Sequence, residues 1–191
     1  WKPLAPLLFD KVLHTVHDEA APAAFFEAKA VFIARRPAPT IASIVAMQTR
    51  LGSPRFASPD LAAAYYRERM ERLLVLWEGF PADKRIALTY DDLINDPPGA
   101  LARISNCLDL TPALSNRYEQ PRDAMKPGEG DPFNAHRFDR IDAAAQGATV
   151  ADVSVDAGLP AERMAGLEAL YDTFRARCVS AALAASPADA A

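Results

Sequence analysis

The spacing of apolar positions changes several times along the chain, and each change predicts an element. Over residues 4–17 apolar side chains fall at Leu7, Leu8, Val12, Leu13 and Val16, which is the spacing of one helical face. Residues 30–34 are a short unbroken apolar run with Val, Phe and Ile at its centre, which predicts a buried, central parallel strand. The next helix starts at Pro37 or Pro39, because proline at the first helical position forfeits no hydrogen bond. It runs through Ile41, Ile44, Val45 and Met47 and stops at Gly52. Ser58-Pro59-Asp60 opens a long helix to about residue 79 with a hydroxyl cap, a first-position proline and an acid in the first turn. Tyr66, Met70, Leu73 and Trp77 share one stripe of it and read as core, while Arg67, Glu68, Arg69, Glu71 and Arg72 fill the rest.

Residues 85–90 alternate, with Ile86, Leu88 and Tyr90 on one side, and predict a second strand. Asp96 and Pro97 then start a helix whose buried line is Leu101, Ile104 and Leu108. Residues 114–144 carry Pro121, Pro127, Gly128, Gly130 and Pro132 and read as one long irregular stretch, a length usually tied to function. Met164, Leu167, Tyr171, Phe174 and Cys178 restore helical spacing in a closing helix, and residues 184–191 read as a flexible tail after a domain over 1–183.

Helices alternating with strands predict an α/β fold, a parallel sheet flanked by helices whose ligands sit beyond the carboxyl ends of the strands. At 191 residues and 50% hydrophobic, the chain suits a single core. A formal net charge of −4 argues against a nucleic-acid surface spread over the whole protein. Cys107 and Cys178 lie in apolar helical patterns without the neighbours of a zinc site, and both read as reduced core residues. No apolar run reaches the roughly 18 residues of a membrane span and no signal-peptide pattern opens the chain, so a cytoplasmic protein is expected. The first residue is Trp1 rather than Met, which leaves room for a removed leader.

Against that acidic background, residues 28–59 hold Lys29, Arg35, Arg36, Arg50 and Arg55 and no acid. Arg35 and Arg36 end the first strand directly before a helix start, so cationic side chains and backbone N–H groups are expected to converge on an anion. A solvated basic helix face has the same composition.

The order of these features resembles the sulfotransferases that use 3′-phosphoadenosine 5′-phosphosulfate. Arg35 with Ser43 eight residues later matches the family's pair that holds the 3′-phosphate of the donor. Arg36 stands where the family often has Asp or Asn and adds charge. Tyr90-Asp91-Asp92-Leu93, then Asp96-Pro97 and Leu108-Asp109-Leu110, are similar to a later strand end whose tyrosine lies near the adenine. Gly130-Asp131-Pro132 through Arg140-Ile141 is similar to a loop of bacterial members that closes over the nucleotide. The family's first strand and its Gly- and Ser/Thr-rich phosphosulfate loop have no counterpart here. Lys2 and Pro3 match residues that begin the helix before the arginine strand, which implies a chain cut just upstream of them.

The resemblance implies a P-loop-type nucleotide-binding fold lacking its first strand. It implies sulfuryl transfer from that donor to a hydroxyl or amine of a small-molecule, glycan or lipid acceptor, with no metal. Arg35, Ser43, Arg36 and Tyr90 are the expected donor-binding residues, with Lys126 and Arg122 as further phosphate contacts. No catalytic base is assigned; Lys2 is the catalytic candidate the resemblance leaves, and His14, His17 and His136 read as ordinary histidines. A non-catalytic helical interaction module and a small-molecule kinase of related fold remain alternatives.

Overall fold

In the computed structural model, described over residues 18–19, 21–117, 139–142 and 156–184, the chain forms a two-stranded parallel sheet with helices on both faces. Strand β1 (Ala30–Ala34) leads into α1 (Pro37–Arg50) and α2 (Pro59–Gly79), which return the chain to β2 (Arg85–Thr89). Helices α3 (Tyr90–Asn95), α4 (Pro97–Leu108) and α5 (Ala161–Ala184) follow. The register pairs Ala30 with Arg85, Phe32 with Ala87 and Ala34 with Thr89, so both strands end on one edge.

Local chemistry accounts for the boundaries. Proline stands at the start of α1, α2 and α4, where the missing N–H is no loss. The Ser58 hydroxyl accepts from Leu61 N at 3.3 Å, and the Asp96 carboxylate accepts from Gly99 N at 3.0 Å. Gly52, with φ +63°, takes the left-handed conformation that terminates α1.

The sheet separates two apolar clusters. On one face Phe32 and Ala34 pack with Ile41 of α1, with Ala63, Tyr66, Met70 and Trp77 of α2, and with Leu167, Tyr171 and Phe174 of α5. Phe32 meets Trp77 edge-on at 5.4 Å between ring centroids. On the other face Ile86 and Leu88 pack with Ala100 and Ile104 of α4. Burying both faces of β2 explains why Ala87, on the side opposite Ile86 and Leu88, is as buried as its neighbours.

Several expectations need correction. Tyr90 does not end the second strand but begins α3. Thr89 supplies a hydroxyl cap and Asp92 returns the reciprocal bond, so helix takes over one residue early. The predicted central position of β1 is not met among the described residues, where it has one neighbour and Ile33 is 44% exposed. Arg69 and Arg72, which lie off the apolar stripe of α2, close on Asp18. Arg69 Nη2 donates to Asp18 Oδ2 at 3.0 Å and Arg72 Nε to Oδ1 at 3.1 Å, and the carboxylate is fully buried. The helix expected over 4–17, most of the irregular stretch and residues 185–191 lie outside the described residues.

Candidate functional site

The carboxyl edge of the sheet is built by two short connections. Between β1 and α1 only Arg35 and Arg36 intervene, and the following Pro37 keeps Arg36 extended, with φ −48° and ψ 146°. Between β2 and α3 nothing intervenes. The strand register therefore continues past the sheet: Ala34 pairs with Thr89, Arg35 meets Tyr90, and Arg36 meets Asp91. Arg35 Cζ sits 4.8 Å from the centroid of the Tyr90 ring, a cation–π contact. Arg36 Nε donates to Asp91 Oδ2 at 3.0 Å.

Two buried phenols lie beneath this edge. Tyr66 of α2 is 5% exposed and its hydroxyl donates to the Arg35 carbonyl at 2.9 Å. Tyr171 of α5 is 1% exposed and lies beside Thr89. Burial pushes the Tyr171 phenol up to about 12, and it pushes Tyr66 up further still, so both remain protonated across the physiological range.

Charge around the edge is mixed. The hydrogen bond that Arg36 donates to Asp91 is the largest influence raising the Arg36 pKa; partial burial works against it, and Tyr171 and Glu168 add smaller increments. Glu168 of α5 is half-buried, which raises its pKa, while Arg36 opposes the rise. Arg36 is thus matched by acids from α3 and α5, and the charge it was expected to add is largely compensated. Lys29 is matched too, by Asp109. Acids that lie far off in sequence neutralise part of the acid-free stretch.

The helix start also offers less than expected. Among the first three positions of α1, Pro37 and Pro39 have no N–H, and Thr40 N already bonds to the Arg36 carbonyl at 3.3 Å. Only the Ala38 N–H is left, so the positive character of this edge comes from guanidinium groups rather than from helix-start amides. Ser43 is exposed in the second turn of α1, seven residues and nearly two full turns beyond Arg36 on the same stripe. Lys2, His14, His17, Arg122, Lys126, Gly130-Asp131-Pro132 and His136 lie outside the described residues. Among the described residues no group of three or more His, Cys, Asp or Glu side chains converges to hold a metal, and no helix is long and apolar enough to cross a membrane.

Sequence reasoning missed Tyr66, Tyr171 and Asp91 as parts of this edge. Both tyrosines sit at apolar positions of amphipathic stripes, and nothing in the spacing distinguishes a core phenol from one with a specific acceptor.

A profile of the sulfotransferase family matches residues 2–113, more than half of the chain, including Arg35, Arg36, Ser43, Tyr66, Tyr90 and Asp91. The chain belongs to the sulfotransferase family. Its fold is similar to that of the sulfotransferase domain from the curacin biosynthetic pathway, with a TM-score of 0.50 at 14% identity over 79% of this chain. The sulfotransferase chain described here spans 58% of that domain. No curated protein matches it in sequence.

Proposed function

We propose that this chain is the part of a sulfotransferase that holds the nucleotide end of 3′-phosphoadenosine 5′-phosphosulfate, and that the whole protein transfers the sulfuryl group to a hydroxyl or amine acceptor. The observation that carries the reading is Arg35 set against Tyr90 at the common strand edge, within a chain of this family. A guanidinium there can hold a phosphate in bidentate fashion, and an aromatic ring beside it suits a purine. Ser43, on the exposed side of α1, supplies a hydroxyl donor to the same phosphate; Lys126 adds positive charge, and Arg36 adds what Asp91 and Glu168 leave uncompensated.

Transfer needs little covalent help from the protein. The acceptor oxygen or nitrogen attacks sulfur in line as the bond to the bridging oxygen breaks; the acceptor proton passes to a base, and adenosine 3′,5′-bisphosphate leaves. In this reading the described residues orient the leaving nucleotide, and gripping the sulfuryl group falls to residues beyond those described.

Calorimetric titration of the chain with adenosine 3′,5′-bisphosphate and with ADP tests the reading. Preference for the bisphosphate supports it. Preference for ADP favours a kinase, and indifference to both favours an interaction module.

A further inference from the structure

The function of Arg35 depends on where its main chain ends, and a hydrogen bond from a core phenol anchors that point. Tyr66 donates to the Arg35 carbonyl from a helix 31 residues away, and its ring is locked in the main core among Phe32, Ala34 and Met70. Arg35 follows the last strand residue, so its backbone has left the ladder that holds residues 30–34. It precedes Arg36, the cap of α1, so it has not entered the helix either. A residue between two elements takes its direction from whatever satisfies its peptide groups. Here that group is a buried phenol whose ring cannot shift without disturbing α2.

Tyr171 is the counterpart on the other strand. Its phenol lies close enough to Thr89, the residue before Tyr90, to be influenced by it, and α5 packs it into the same cluster as Tyr66. The two halves of the Arg35–Tyr90 contact thus rest on two phenols from two helices on one face of the sheet.

We propose that Tyr66 is a positioning residue for phosphate recognition: its hydroxyl, through the Arg35 carbonyl, aims the guanidinium at the 3′-phosphate and so sets the preference for a 3′,5′-bisphosphorylated nucleotide over a 5′-monophosphate. The inference rests on the nucleotide reading given above. Tyr66 itself touches no ligand. Its removal affects discrimination between nucleotides rather than general affinity for them, because a guanidinium that is merely less well aimed loses the directional bond and keeps its diffuse charge.

The test compares Tyr66→Phe with the unaltered chain, titrating each with adenosine 3′,5′-bisphosphate and with adenosine 5′-monophosphate. The expected result is a fall of about five- to ten-fold in the ratio of the two affinities, the worth of one hydrogen bond, with the monophosphate affinity unchanged. Circular dichroism establishes that the variant is folded. Should Tyr66→Phe fail to fold, replacement of Tyr66 by 4-methylphenylalanine fills the space of the hydroxyl without a proton to donate, and the same fall is expected. An unchanged ratio in a folded variant overturns the inference, as does an equal loss for both nucleotides, which marks a structural role only. Failure of the unaltered chain to prefer the bisphosphate is a different outcome. It overturns the nucleotide reading, and the positioning role with it.

Discussion

Arg35 and Tyr90, 55 residues apart in sequence, are in face-on contact because the register of two parallel strands extends one residue past the sheet. The same offset relates Arg36 to Asp91. The two neighbouring arginines therefore have different electrostatic surroundings: one lies against an aromatic face, the other against a carboxylate. A phosphate approaching this edge meets them unequally.

Replacing Arg35 by Ala is expected to weaken binding of adenosine 3′,5′-bisphosphate by about 1.5–3 kcal/mol, the cost of a charged hydrogen bond. Arg55→Ala, whose guanidinium lies 5.0 Å from the Phe56 ring in the α1–α2 connection, should leave it nearly unchanged. Calorimetry on both variants reads the contrast, and equal losses would reduce the cluster to a diffuse field.

Asp91→Asn releases Arg36 from its partner without altering the fold of α3, whose capping box uses Thr89 and Asp92. The pair is partly exposed, so the effect on stability should be within about 1 kcal/mol. Bisphosphate affinity should rise a few-fold at low salt and the gain should disappear at high salt. Titrations at two ionic strengths check it; a gain that survives high salt would point to a change of shape instead.

Asp18→Asn should cost about 2–4 kcal/mol of folding stability. It removes the carboxylate charge that pairs with two guanidinium groups at a site where that carboxylate is fully buried and the arginines are 13% and 24% exposed. Urea unfolding measures the loss. A midpoint equal to that of the unaltered chain would show that the cluster contributes no net stability.

Stability is expected to decline above about pH 10. The Tyr171 phenol titrates near its ordinary value of about 10 when unfolded and near 12 when folded. Between those values the folded state holds a proton that the unfolded state has lost, so the stabilisation is complete below pH 10 and is lost as the pH rises through 12. Cys178, pushed up to about 12 by burial, adds to the same slope from about pH 9 upward. Thermal unfolding from pH 8 to 11.5 should show Tyr171→Phe losing less stability over this range than the unaltered chain. Parallel curves for the two proteins would assign the decline to other groups.

Much of this edge was legible because proline, serine and aspartate mark helix starts by local chemistry alone. Pro37, Ser58 and Asp96 needed only their neighbours, and the elements they begin appear where the sequence places them. The parallel pairing, and the closeness of Arg35 to Tyr90, followed from two apolar runs joined by helices. Other features depend on partners at a distance. The acid-free window around Arg35 gave no hint that Asp91 and Asp109 would come to meet it, because charge counting is one-dimensional and neutralisation is not. Tyr90 was assigned to the strand by its alternation, and the capping box at Thr89 overrode that pattern. Arg69 and Arg72 lie off the apolar stripe of α2, and nothing local announces their partner Asp18, 51 and 54 residues away.

Asn116 and Ile141 exchange two hydrogen bonds, the amide nitrogen donating to the Ile141 carbonyl at 2.9 Å and the Ile141 N–H donating to the amide oxygen at 2.8 Å. A single side chain thus reproduces a rung of β-ladder and ties off the stretch between them like the neck of a bag. Both bonds hang on one amide, so Asn116 and Ile141 are held together, or parted, by a single side chain.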